Sequence, residues 1–273
     1  MNSAFKIVLI ILLSLITLSL IGILTVLIMR GDKFDWSFNF SISEKLIEDK
    51  TINEVKDINI DVNIGDIIFE IGESDKVNVK LYSDHNESYI VKDSGDVIEV
   101  KYRESTGFRL FSKGPRAVIT VPEDYDKNIT IKGDVVDIKG KELSKATVKA
   151  SFNVGDFKID GLDKAIVSLT TGDIKMENVN SLTASSKTGD VKVTNVNGYI
   201  NIDKNVGDVK IQNLYLTENC SIKNNIGDVK ISKVNDIYVE AKTNIGDVKI
   251  NGGDRKSDIV LSITNNTGDI KVG

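Results

Sequence analysis

The sequence predicts an all-β chain: a single-chain β-solenoid with 17–22 residues per coil, preceded by one N-terminal transmembrane helix. One phrase, an apolar residue or Thr followed by Gly-Asp-apolar-Lys-apolar, recurs seven times between Val154 and Val272. Its glycines lie 17, 17, 18, 20, 19 and 22 residues apart, a period that marks stacked repeats. The apolar residues alternate with period two, and their parity switches across the phrase. Ala150, Phe152 and Val154 are even, whereas Phe157 and Ile159 are odd; Ile237, Val239, Ala241 and Ile245 are odd, whereas Val248 and Ile250 are even. A continuous strand with such a switch would turn its apolar face to water.

The chain opens with Ile7 to Met29, 23 residues without a charge. As a helix this run would be about 34 Å long, enough to cross a hydrocarbon core of about 30 Å. It is long for a signal-peptide core, and Leu27-Ile28-Met29-Arg30 lacks the small residues of a cleavage site. Residues 1–30 therefore read as an uncleaved anchor. Lys6 on one flank and Arg30 and Lys33 on the other nearly balance, so charge does not set orientation. Placement of the body outside the cytoplasmic membrane follows instead from the usual behaviour of a short N-terminal tail before a large domain. Residues 31–50 read as a juxtamembrane linker. Within it Phe34, Trp36, Phe38, Phe40 and Ile42 alternate with polar residues, which suits an aromatic-faced strand or the interfacial belt. Glu44 to Lys50 is its charged end.

Residues 51–273 form the solenoid domain, with longer, irregular strands over 51–128 and regular coils over 129–273. In the first part, Ile58, Ile60, Val62 and Ile64 precede Gly65-Asp66, and the apolar set then moves to Ile67, Phe69 and Ile71. Asp93-Ser94-Gly95-Asp96 between two apolar runs predicts a hairpin. Thr106 to Arg116 reads as a loop, and Val118 to Pro122 as a strand closed by proline.

In the regular coils the parity switch makes each phrase a corner. The corner pieces are Gly155 and Asp156, Gly172 and Asp173, Gly189 and Asp190, Gly207 and Asp208, Gly227 and Asp228, Gly246 and Asp247, and Gly268 and Asp269. Gly supplies backbone freedom and Asp bonds nearby N–H groups. Gly133-Asp134 reads as a degenerate eighth corner. Leu162, Val179, Val196, Leu214 and Val234 mark a second apolar position three residues past each phrase. One coil cannot bury its own apolar face, but coils stacked about 4.8 Å apart can, giving a rod of roughly 40 Å. The competing architecture, an antiparallel sandwich, would not require one phrase in register.

Stacking turns sequence columns into ladders. The corner aspartates form one, and Lys158, Lys175, Lys192, Lys210, Lys230, Lys249 and Lys271 form another two residues on. Asn153, Asn205, Asn225, Asn244 and Asn266 form a partial amide ladder. Adjacent Asp and Lys columns offset each other's charge and give a soluble face. The lysines are also a candidate ladder for an anionic ligand such as a wall glycopolymer or lipid headgroup.

Composition narrows the function. The formal charge of −5, from 35 basic and 40 acidic residues, excludes the concentrated basic surface that nucleic acid requires. One Cys and one His exclude a disulfide framework and a Cys/His zinc site. Repeated Gly-Asp suggests calcium, but calcium takes six to eight oxygens, and here each coil offers one Asp beside a Lys. Cys220 falls in phase with Ile222 and Ile226 and reads as core; His85 sits in a polar loop. No P-loop, dinucleotide fingerprint or serine triad is present, and no cofactor is expected. A glycosidase would want paired carboxylates with aromatic platforms, which the repeat region lacks.

These coils, the strand running into Val118-Ile119-Thr120-Val121-Pro122-Glu123-Asp124-Tyr125, and the closing Thr267 to Gly273 resemble the bacterial "putative adhesin" β-solenoid domain family of unknown function, over about residues 51–273. That family usually has Ser-Ser or Thr-Ser before Gly-Asp, where this chain often has Asn-Val or Asn-Ile. The resemblance implies a non-catalytic, envelope-associated protein, in some members linked to envelope stress, and transfers no catalytic residue. The expected function is thus a membrane-anchored surface scaffold or interaction module, partnered by an envelope protein or an anionic wall polymer. Self-association is the structural alternative, and an envelope polysaccharide enzyme the catalytic one.

Overall fold

The computed structural model describes residues 45–83, 89–102 and 115–273. The anchor, the aromatic stretch at 34–42, His85 and most of the 106–116 loop lie outside these residues. Every regular element described is a β-strand. One end is built by β1 (Lys45–Ile52), β2 (Asp57–Gly72), β3 (Val77–Ser83), β4 (Tyr89–Ser94), β5 (Val97–Tyr102) and β6 (Arg116–Pro122). The body follows as β7 (Asn128–Val154), β8 (Phe157–Thr171), β9 (Ile174–Thr188), β10 (Val191–Val206), β11 (Val209–Leu216), β12 (Cys220–Ile226) and β13 (Val229–Val234). The far end comprises β14 (Tyr238–Ile245), β15 (Val248–Ile250), β16 (Val260–Thr267) and β17 (Ile270–Val272). Val, Ile and Thr dominate them, the residues that suit a half-buried pleat.

Body strands pair in parallel, each coil on the next: Phe157 on Ile174, Ile174 on Val191, Val191 on Val209, Val209 on Val229. The inward residues therefore stack in continuous columns. One runs Ile67, Ile138, Phe157, Ile174, Val191, Val209, Val229 and Ile270, all buried. Leu143, Leu162, Val179, Val196 and Leu214 form another, as their fixed distance from the phrase implies. Cys220 is buried beside Ile200, beneath Leu261.

The corners sit where the parity switch puts them, with φ between +124° and +137° at all seven repeat glycines. The need for glycine is steric as well. A Cβ on Gly189 would lie 2.0 Å from the carbonyl oxygen of Gly172 in the coil beneath. A second corner precedes the Leu162–Val179 column. There Glu142, Gly161, Asn178, Asn195, Asn213 and Lys233 take left-handed φ between +53° and +77°, a conformation that Asn tolerates better than most residues. Asn195 donates to Asn178 Oδ1 at 2.8 Å and Asn213 to Asn195 Oδ1 at 2.7 Å, an amide ladder not read from the sequence.

Three expectations need correction. The eighth corner is Val136-Asp137, not Gly133-Asp134: Asp137 Oδ1 accepts the Asp156 N–H, and Gly133 lies on Val62 within a strand. Val136 keeps negative φ, so this bend forms without glycine. Gly65-Asp66 pairs on Val136-Asp137 and begins the same column, so the irregular first part belongs to the stack. Residues 45–50, read as linker, lie in β1, antiparallel to β3. The apolar residue before each glycine, read as core, is exposed at Val154, Val206, Ile226 and Ile245. The pleat ends one residue earlier, at the Asn position, where pairing skips from Phe152–Leu169 to Val154–Thr171.

The coils also do not stack in chain order at the far end. β16 pairs with both β12 and β14, and β17 with both β13 and β15. The coil holding Gly268 is thus inserted between those of Gly227 and Gly246. The longest glycine spacing, 22 residues, includes the crossover through 251–259 that this requires. Polarity explains the exchange: β16 offers Leu261 and Ile263 to the core, whereas β14 offers Val239 and Ala241 and carries Glu240 and Lys242. The more apolar coil takes the covered layer, and the charged one takes the edge.

The opposite end is closed. Antiparallel pairings β1–β3, β3–β6 and β4–β5 cover it, and Gly95 has φ +58° in the predicted hairpin turn. Val77, Val79 and Leu81 are fully buried there. Tyr125 packs into the same region and donates its hydroxyl to the Lys56 carbonyl at 2.9 Å.

Candidate interaction surface

The corner aspartates and the lysines occupy one continuous edge of the rod. Each corner aspartate except the terminal Asp247 reaches along the stack: Oδ1 accepts the backbone N–H of the next corner aspartate, from Asp156 to Asp173 at 2.9 Å and from Asp173 to Asp190 at 2.7 Å. The chain of bonds continues through Asp208, Asp228 and Asp269 to Asp247, at 2.9–3.0 Å. The sequence foresaw bonds to nearby N–H groups; the structure shows that they join coils. An orphan corner donor and a carboxylate thus satisfy each other, and charge makes such bonds stronger than neutral ones.

At two corners the second carboxylate oxygen meets the lysine two residues on. Lys210 bonds Asp208 Oδ2 at 3.0 Å and Lys271 bonds Asp269 Oδ2 at 3.1 Å. Asp208 is held below the usual carboxylate range, first by the Asp228 N–H and then by Lys210. Asp269 is lowered in the same way by the Asp247 N–H and Lys271. Lys210 and Lys271 are raised, each by its aspartate.

The structure brings all seven predicted lysines into one column, in the spatial order Lys158, Lys175, Lys192, Lys210, Lys230, Lys271, Lys249. It adds Lys139, which pairs on Lys158. Sequence reading missed this residue because its corner carries Val136 where the others carry glycine. At that end the column borders a shallow cleft of about 650 Å³ lined by Phe69, Glu70, Lys141, Asp160 and Glu177. The Asn ladder is present in part: Asn225 donates to Asn205 at 2.8 Å and Asn244 to Asn266 at 2.7 Å.

Behind the corner runs a polar column that the sequence did not disclose. It starts next to the apolar Leu169, and Ser186, Lys204, Asn224, Asn265 and Thr243 stack on it in that order. Asn265 Nδ2 bridges the carbonyls of Gly227 and Gly268 at 2.9 and 3.0 Å, and Asn224 donates to Gly227 at 3.0 Å. Lys204 is buried, donates to the Val206 carbonyl at 2.9 Å, and has its pKa lowered by that burial. Ser186 Oγ, Asn224 Oδ1 and Asn265 Oδ1 are buried without a hydrogen-bond partner.

Among the described residues, no three His, Cys, Asp or Glu side chains converge to hold a metal ion. Cys220 accepts the Ile200 N–H and donates to the Glu218 carbonyl, both at 3.3 Å, and burial pushes its thiol pKa up. That is the setting of an inert core thiol. No described helix is long and apolar enough to cross a membrane.

Residues 55–273 match the Toastrack DUF4097 family. The chain belongs to that family. No curated protein matches it. A solved "putative adhesin" of Parabacteroides merdae shares the fold, with a TM-score of 0.51 at 14% identity, over 85% of this chain and 96% of that one. A "putative cell adhesion protein" of Clostridium sporogenes aligns over 84% and 98% at 18% identity, with a TM-score of 0.31. A "putative lipid binding protein" of Parabacteroides distasonis aligns over 83% and 96% at 17% identity, with a TM-score of 0.44. This Toastrack chain is all-β with a solenoid-like fold.

Proposed function

We propose that this chain is a non-catalytic interaction module, anchored through residues 7–29 and held outside the cytoplasmic membrane, whose lysine-bearing edge meets an envelope partner. The observation that carries the reading is the division of labour along that edge. Asp Oδ1 is committed to holding coils together, so the carboxylates are structural, while the lysine column stands outside them as a repeated cationic feature. An envelope protein with an acidic face or an anionic wall polymer fits such a column. An acid–base mechanism would need a free carboxylate poised for proton transfer, and at two corners Asp208 and Asp269 are held in their charged form by an N–H and a lysine.

Two measurements test this. Protease added to intact cells should digest the body; digestion only after lysis would place it inside. Replacing Lys158, Lys175, Lys192 and Lys210 together by Gln should weaken retention on isolated cell envelopes, with retention by the parent chain falling as salt rises. Equal, salt-independent retention of both proteins would exclude the lysine edge as the contact.

A further inference from the structure

The two ends of the rod are not equivalent. At one, antiparallel strands close the core. At the other, β14 and β15 end the stack with their outer edges unpaired by any described strand. Val248 and Ile250 share columns with Ile270 and Val272, which are 0% and 2% exposed, yet they are themselves 42% and 40% exposed. They are core residues of a coil with no coil above it. Tyr238 and Ile245 are exposed on the same layer. Repeat proteins usually protect such an end with a polar capping unit. Here the crossover after β15 covers only the start of the edge, where the Asp254 N–H bonds the Ile237 carbonyl at 2.8 Å and Val239 is buried. Beside it lies a cleft of about 420 Å³ between Tyr238 and Val239 on one side and Ile250 to Arg255 on the other.

We propose that this open end pairs edge to edge with the same end of a second copy of the chain, about a two-fold axis at Ala241. The Tyr238 N–H bonds back to the Ile259 carbonyl, so in a parallel ladder the N–H and C=O of Val239 and Ala241 point away from the stack. They are free to pair with an antiparallel strand. Inner and outer faces match only when odd residues meet odd and even meet even. Three such registers centre on Glu240, Ala241 or Lys242. The first sets Glu240 against Glu240, and the third Lys242 against Lys242. Only the axis at Ala241 sets Glu240 of each copy against Lys242 of the other, Val239 against Thr243, and Tyr238 against Asn244.

The two-fold arrangement follows from the other end of the rod. Head-to-tail stacking would place this open coil on β1 or β4, the outer strands of a closed, antiparallel cap. An isologous contact uses the open end twice and closes, whereas a heterologous one generates filaments. The inference stands apart from the proposed lysine-edge contact and concerns a different surface.

The test is a charge exchange on the full chain purified in detergent, with mass measured by sedimentation across the micromolar range. The parent chain is expected to be dimeric. Glu240→Lys alone and Lys242→Glu alone should each weaken the dimer about tenfold or more, by setting like charges opposite each other twice. The double variant should restore it. Thermal melts of all four proteins identify any variant that fails to fold, and the restored double variant shows that charge pairing is the cause. A parent chain that stays monomeric, as it would if another part of the same chain covered the end, overturns the proposal. So does a dimer indifferent to both single exchanges.

Discussion

Gly189→Ala is the sharpest test of the corner. The Cβ would meet the Gly172 carbonyl oxygen at 2.0 Å and its carbon at 2.6 Å, with φ at +126°. Neither atom can swing aside, because both belong to the backbone of the next coil. Relief requires parting the coils by about 1 Å, a fifth of their spacing. That stretches the bond from Gly172 N–H to Thr188 O at 2.9 Å and from Asp190 N–H to Asp173 Oδ1 at 2.7 Å. Two bonds at about 1 kcal/mol each, plus backbone strain of about 1–3 kcal/mol, give a loss of about 3–5 kcal/mol. For a domain of this size that is a fall of about 10 °C in Tm. The control is Gly95→Ala, where φ is +58° and no atom lies within 4 Å of the new Cβ; only the left-handed penalty of about 1–2 kcal/mol applies. Urea unfolding followed by far-ultraviolet circular dichroism measures both. If Gly189→Ala lost no more stability than Gly95→Ala, the close approach of coils would not be what selects glycine.

Three further outcomes are expected. Asp190→Ala should destabilise by about 1–3 kcal/mol, because it strands the Asp208 N–H, while Asp190→Asn, which keeps an acceptor, should cost less; urea midpoints of the two variants decide this. The lowered pKa of Asp208 and Asp269 means that their contribution is complete above the ordinary carboxylate value of 3.8 and is lost as pH falls through the depressed folded values; Tm should therefore drop below that point, and less steeply in Asp208→Asn. Lys204→Met should be neutral or stabilising at pH 7, because it removes a desolvated charge whose hydrogen bond is to a carbonyl. Because burial lowers the folded pKa of Lys204, the parent chain gains stability as pH rises from that value to 10.5, and the advantage of the variant should shrink over that window in parallel melts.

The corner was legible because three local signals coincide there: a fixed glycine, a parity switch and a period. Val136-Asp137 escaped because the bend forms there without glycine, leaving only the parity change across Ile131 and Ile138. The second corner was half visible. The apolar column at Leu162 and Val179 stood out, but the left-handed residue just before it, Asn178 or Asn195, has no single identity across coils. The polar column was hidden because Lys204 and Asn224 contradict the alternation that identifies a core. Coil order is different in kind. The phrases at Gly246 and Gly268 are locally equivalent, and their exchange depends on which coil loses less by standing at the edge. That comparison is between layers, and it shows in sequence only as Glu240, Ala241 and Lys242 set against Leu261 and Ile263.

The inserted layer gives the stack a temporal dimension. Ribosomes deliver residues 238–250 before residues 260–272, yet the later segment ends up beneath the earlier one. The coil of Gly246 must then wait undocked, or settle on β12 and β13 and be lifted off. Either route makes the last layers a late, separately timed step in folding. A chain interrupted before residue 260 would still own an edge coil, but one set on the wrong neighbour.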